Sequence, residues 1–320
     1  MLQRSPLPDV AASRAAASSS DGSSPSAETR ALQHVGMRGI ASRLQLEDGT
    51  RLPVTVDVGV DLATGHRGIH MSRLYRLLDR LDETPLSVDT FHALGVSLLE
   101  SQAGISERLE LALHFDLPLR RPALLSEASG WRHYPVTLTL CGTLGDLQTV
   151  LTLSLDYSST CPCSAALARH AMARDWRAWA EEHPDAARAP DVLARWIEQD
   201  GSFPTPHSQR SRAEIALSLG ASASLDIAAR IVDFEETLQT PVQTLVKRLD
   251  EQAFAERNGA NLLFCEDAAR RLGGCCDAQP GVDGYRIDIT HAESLHAHDA
   301  VARIERDFPS TSARPNRMAR

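Results

Sequence analysis

Val54-Thr55-Val56-Asp57-Val58-Gly59-Val60-Asp61-Leu62 is the stretch from which the fold is read. Apolar side chains fall at every second position, the period of a strand with one face buried and the other in water. From Gly65 to Leu81 the period lengthens, and Leu74, Leu77, Leu78 and Leu81 recur on one helical face. Asp89 can cap a second helix running to about Ala103. Alternation returns at Leu109, Leu111, Leu113, Phe115 and Leu117, then around Val136–Leu140 and Leu147–Leu155. The second half repeats this order. Ile215, Leu217 and Leu219 mark a strand, 225–245 and 250–272 read as helical, and Tyr285, Ile287 and Ile289 alternate. Two packed α+β modules are expected, at 34–160 and 161–320. Arg169–Ile197, with Trp176, Trp179 and Trp196, reads as a helical insertion at about 165–200.

The chain's 320 residues suit about two domains, at ~150 residues each. With 42% hydrophobic and 23% charged residues it is a globular composition, neither fibrous nor wholly disordered. A net charge of −9 argues against nucleic acid or an anionic membrane as partner. No run approaches the ~18 apolar residues of a membrane span, and no apolar leader opens the chain, so a cytoplasmic location is expected. Residues 1–33, rich in Ala and Ser and without aromatics, read as a disordered tail. Of the 33 basic residues all but Lys247 are Arg, which makes that lysine a place to look.

Cys161-Pro162-Cys163-Ser164 follows a strand. Pro162 removes an amide donor, so the ladder should end there. A thiolate is both a soft metal ligand and a nucleophile, whereas two small buried thiols are the plain alternative. A disulfide between positions two apart is disfavoured by geometry. Pro206-His207-Ser208-Gln209-Arg210-Ser211 offers an imidazole from a polar loop. His291-Ala292-Glu293-Ser294-Leu295-His296-Ala297-His298-Asp299 gathers three His, one Glu and one Asp. As a helix it pairs Glu293 with His296, and as a strand His296 with His298. Cys, His and Glu together suit a divalent metal, and ligands scattered this far apart point to a catalytic metal. Three further motifs carry weaker signals. His66-Arg67-Gly68-Ile69-His70-Met71-Ser72-Arg73 puts cations at a helix start, which suits phosphate. Val246-Lys247-Arg248-Leu249-Asp250-Glu251 holds the single lysine. In Phe264-Cys265-Glu266-Asp267, a carboxylate in an apolar pocket could accept the two parallel donors of guanine. Cys265, Cys275 and Cys276 read as packing residues.

These six motifs, in this order from about residue 35 to 305, resemble those of the type IB GTP cyclohydrolases. The resemblance implies tandem tunnelling-fold modules, antiparallel sheets with paired helices, assembled as a homotetramer with sites at subunit interfaces. It implies conversion of GTP and water to 7,8-dihydroneopterin triphosphate and formate, with one divalent metal per site (Mn, Fe or Zn). By the same resemblance Cys161, His207, Glu251 and His296 become metal ligands, and Cys163 the thiol facing substrate. Glu293 is a ligand or the proton-transfer group, a role His298 of the same motif can share. Glu266 anchors guanine, and Arg67, Ser72, Arg73 and Lys247 lie near ribose and triphosphate. Residues 164–206 separate Cys163 from His207, where compact relatives have a short loop. That makes His207 the ligand least fixed by spacing. An archaeal-type cyclohydrolase ending at a cyclic phosphate, a tunnelling-fold nitrile reductase with a Cys nucleophile, and a structural metal site in a binding protein are the competing readings.

Overall fold

A computed structural model describes residues 30–201 and 203–309. The expected tail, apart from its last residues, lies outside them. Eight strands follow one another in hydrogen-bonded order from β1 to β8. They are β1 (Leu32–Gln45), β2 (Arg51–Leu62), β3 (Arg108–Pro122), β4 (Ser129–Thr143), β5 (Asp146–Thr160), β6 (Ser208–Leu219), β7 (Val282–His291) and β8 (Ala300–Arg306). The pairs β1–β2, β5–β6, β6–β7 and β7–β8 are antiparallel. With the helices, this is an α+β architecture. The chain groups into two compact units. The first takes in the described residues up to Leu113 together with Thr139–Leu147, and the second His114–Leu138 together with the described residues from Gln148.

In the first unit the alternation of β2 does what its sequence requires. Leu52, Val54, Val56, Val58, Val60 and Leu62 are all buried, each removing ~1.5–3 kcal/mol worth of apolar surface from water. The expected helix over Gly65–Leu81 is shorter and broken: α1 spans Met71–Leu77 and α2 Arg80–Glu83. Arg67 lies in the loop before α1, and Ser72 and Arg73 are exposed in its first turn. The next helix, α3 (Val88–Glu100), is capped by Ser87 instead of Asp89. The Thr90 amide donates to Ser87 Oγ at 3.1 Å and the Ser87 amide donates to Thr90 Oγ1 at 2.9 Å, a reciprocal box that satisfies two orphan donors.

In the second unit β5 hands over to α4 (Pro162–Glu182), with Pro162 at the first helical position, where a missing amide costs nothing. The insertion continues through a short helix, α5 (Val192–Arg195). Helix α6 (Ile227–Leu238) covers part of the expected 225–245, and the expected 250–272 is two helices, α7 (Arg248–Ala260) and α8 (Cys265–Ala278). Strand β5 pairs with β6 without a register break from Thr149↔Leu219 to Thr160↔Ser208. The stretch 164–206 therefore lies within the connection beyond the last pair of an unbroken ladder. Cys161 and His207 are the residues flanking its last pair, and the Cys161 amide donates to the His207 carbonyl at 3.3 Å. Spacing in sequence left His207 insecure; strand register brings it back beside Cys161.

Candidate active site

Three strands of the second unit carry their buried parity past the apolar core to polar side chains at their ends. On β5, Leu153 and Leu155 give way to Tyr157 and Ser159. On β6, Ile215 and Ala213 lead back to Ser211 and Gln209, and on β7, Ile287 and Ile289 lead to His291. The register sets Ser159 opposite Gln209, Tyr157 opposite Ser211, and Ser211 opposite His291. Buried polar groups must be paired, and these pair with one another. Tyr157 Oη and His291 Nε2 are 2.8 Å apart, Ser159 Oγ and His291 Nδ1 3.2 Å, and Ser159 Oγ and Ser211 Oγ 2.8 Å. Burial pushes the His291 imidazole down to about 4 against an upward pull from the Glu266 charge, so the ring is neutral at pH 7. Burial also raises the Tyr157 phenol, with the nearby Cys265 thiol adding to it.

The network surfaces at His207 and Glu293. The Gln209 amide nitrogen lies 3.1 Å from Ser159 Oγ and 3.5 Å from Glu293 Oε1, and its carbonyl oxygen lies 3.1 Å from His207 Nδ1. The His207 amide donates to Ser164 Oγ at 3.1 Å, which ties the loop before β6 to the first turn of α4. Glu293 Oε2 stands 3.5 Å from His207 Nδ1, and both side chains are mostly covered, at 17% and 12% exposure. That oxygen is buried and has no hydrogen-bond partner. A carboxylate oxygen in this state asks for a cation or a proton.

Among the described residues, the side chains of His207 and Glu293 are thus brought together, and the Cys161 backbone is bonded to that of His207, whereas Cys163 is exposed two residues further along the chain. His296 and His298 sit on the exposed bend after β7, their rings stacked 5.0 Å apart. The segment is neither of the regular forms expected for it. Glu251 is exposed in the first turn of α7, beside Asp250, whose carboxylate is spent on structure. Asp250 accepts from the Leu125, Ser126 and Lys247 amides and the Ser126 hydroxyl, which holds its carboxyl well below the usual range. The Lys247 side chain is exposed. Glu266 is not in an apolar pocket of this chain: it is exposed at the first turn of α8. Its own backbone amide and the Cys265 thiol lower its carboxyl, with smaller help from Arg270 and His291. Cys265, expected only to pack, has its Sγ 3.2 Å from Glu266 Oε2 as a donor, and burial pushes its thiol up to about 11. Among the described residues no three His, Cys, Asp or Glu side chains are gathered so as to hold a metal ion. Sequence reasoning missed Gln209, Ser159, Ser211, Tyr157 and His291 as a set. Their signal was polar residues occupying the apolar parity of a strand.

The family model described as GCHY-1, type I GTP cyclohydrolase folE2, matches residues 22–302. The chain belongs to that family. It is 42% identical over 284 residues to the GTP cyclohydrolase FolE2 of Chromohalobacter salexigens, covering 88% of this chain and 92% of that one. With the GTP cyclohydrolase FolE2 of Xanthomonas euvesicatoria it shares 43% identity over 307 residues, 94% of this chain and 96% of the relative. Among solved structures, the uricase of Arthrobacter globiformis aligns over 88% of this chain and 96% of its own at 9% identity and a TM-score of 0.47, a likeness too remote to argue from. The chain is accordingly an enzyme of the GTP cyclohydrolase class, and no described helix is long and apolar enough to cross a membrane.

Proposed function

We propose that this chain converts GTP and water to 7,8-dihydroneopterin triphosphate and formate, with a divalent metal, Mn, Fe or Zn, held at His207. The observation that carries the reading is the mostly buried His207–Glu293 pair, Nδ1 to Oε2 at 3.5 Å, with the Cys161 backbone bonded to that of His207. Sulfur, imidazole and carboxylate donors in that order of softness suit such a metal. His207 and Cys161 would hold it, with Glu251 and His296 as further donors. A partial set within one chain accords with a homotetramer whose sites are completed between copies. A bound metal of this kind supplies Lewis acidity at neutral pH.

The chain's own residues do the rest. Glu266 offers two carboxylate oxygens to the ring N–H and exocyclic amine of guanine, which holds C8 in a fixed position. Glu293 takes a proton from the attacking water and returns it at N7, with His298 sharing the shuttle and Cys163 facing the ring being opened. A second hydrolysis frees formate. Arg67, Ser72, Arg73 and Lys247 contact ribose and triphosphate, so local cations serve an acidic protein. Incubation with GTP should release formate and give a pterin fluorescent after oxidation. A strong chelator should abolish both, and added Mn, Fe or Zn should restore them. Full activity in exhaustively metal-stripped protein would refute the metal, and a cyclic phosphate product by mass spectrometry would refute the stated product.

A further inference from the structure

Gln209 lies in β6 at 7% exposure, between the buried strand-end network and the His207–Glu293 pair. Its side-chain amide has a nitrogen that can only donate and an oxygen that can only accept. The orientation of such a group is settled by its neighbours. Here Glu293 Oε1, 3.5 Å away, belongs to a carboxylate that only accepts, so the nitrogen must face it. The same nitrogen reaches Ser159 Oγ at 3.1 Å. The oxygen is then left against His207 Nδ1 at 3.1 Å, and an oxygen there demands a hydrogen on Nδ1. A neutral imidazole carries one N–H, so its Nε2 is left with a bare lone pair.

We propose that Gln209 is a positioning residue that locks His207 in the Nδ1–H tautomer and so presents the Nε2 lone pair to the metal. The lock is held from behind. Ser159 Oγ, which receives the Gln209 nitrogen, is itself fixed by Ser211 at 2.8 Å and by His291 at 3.2 Å, and His291 by Tyr157 at 2.8 Å. Ligating histidines depend on such partners at the second ring nitrogen for orientation and basicity. The function of the lock rests on the proposed metal site; the tautomer itself does not, and can be read without any metal.

The test uses full-length, metal-free protein with 15N-labelled histidine, at a pH where His207 is neutral, and long-range proton–nitrogen NMR. Wild-type protein should show Nδ1 protonated and Nε2 bare at His207. Gln209→Glu keeps an acceptor oxygen and should keep that tautomer. Gln209→Leu removes it and should move the ring toward the Nε2–H form. Zinc titration should then show affinity lowered by about ten- to a hundredfold in Gln209→Leu and retained in Gln209→Glu. An Nε2–H tautomer in wild-type protein, or an unchanged tautomer in a folded Gln209→Leu, would overturn the assignment. Should Gln209→Leu fail to fold, the wild-type and Gln209→Glu spectra still decide it. Wild-type protein with the expected tautomer that binds no zinc sinks the metal reading and leaves the lock standing.

Discussion

His291 shows at the scale of one residue how a buried polar group ties stability to pH. The ring is 2% exposed, and burial pushes it from 6.5 down to about 4. Between those values the unfolded chain binds a proton that the folded chain refuses. Stability from this residue is therefore complete above about pH 6.5 and is lost as pH falls toward 4. At ~1.4 kcal/mol per unit, moving from pH 7 to pH 5 should cost about 2 kcal/mol. His291→Gln cannot ionise, so urea unfolding at the two pH values should show wild-type protein losing about that much more than the variant. Equal losses would mean that His291 is not held neutral in the fold. The same residue marks where sequence reading stopped. It stands within a polar run of the sequence, and only strand register makes it the buried partner of Tyr157 and Ser159.

At the scale of an element, α7 depends on a residue that the sequence passed over in favour of its neighbour. Glu251 drew attention as an acidic group after the lysine, yet Asp250 is the buried one. Its carboxylate accepts the Lys247 amide at 2.9 Å at the helix start, and from the β3–β4 loop the Leu125 and Ser126 amides at 2.8 and 2.9 Å and the Ser126 hydroxyl at 2.6 Å. Asp250→Ala strands these donors, and losing the cap alone costs about 1 kcal/mol. With buried donors left unpaired the loss should reach about 3 kcal/mol in chemical denaturation. Asp250→Asn, which keeps one carbonyl acceptor, should recover part of it, and a loss under ~1 kcal/mol in Asp250→Ala would show the bonds to be unimportant. The strands were legible because burial on one face imposes a period of two: β2, β3, β6 and β7 lie where alternation put them. Strand β1 escaped because register shifts between Leu32 and Val35 and between Met37 and Ile40 interrupt its pattern. Strand β8 escaped because none of its residues is fully buried. Helix ends were misplaced where a short loop, such as that before Met71, still carried apolar residues at compatible spacing.

At the scale of the molecule, the insertion tests whether the ladder or the loop builds the proposed metal site. Residues 164–206 belong to the connection that joins β5 to β6 beyond their last pair, Thr160↔Ser208. Of the 21 residues of α4 only Ala165 is buried. The insertion's aromatic residues pair with one another: Trp176 with Trp179 at 5.3 Å, Trp176 with Trp196 at 5.3 Å, and Trp196 with Phe203 at 6.4 Å. Removing the segment removes these paired rings together. Shortening a loop also costs little in closure entropy, about 0.6 kcal/mol for each doubling of length and in the stabilising direction here. Joining Ser164 to Pro206 through a short Gly linker keeps the Ser164 hydroxyl that receives the His207 amide and keeps Cys161 beside His207. The shortened chain should therefore lose helical circular dichroism while its melting midpoint stays within about 5 °C, a shift of roughly 1–2 kcal/mol for a unit of this size. Zinc affinity should stay within a few-fold of the full chain, because the ladder and Gln209 place His207. A folded deletion that had lost zinc binding would show instead that the insertion, and not strand register, assembles the site.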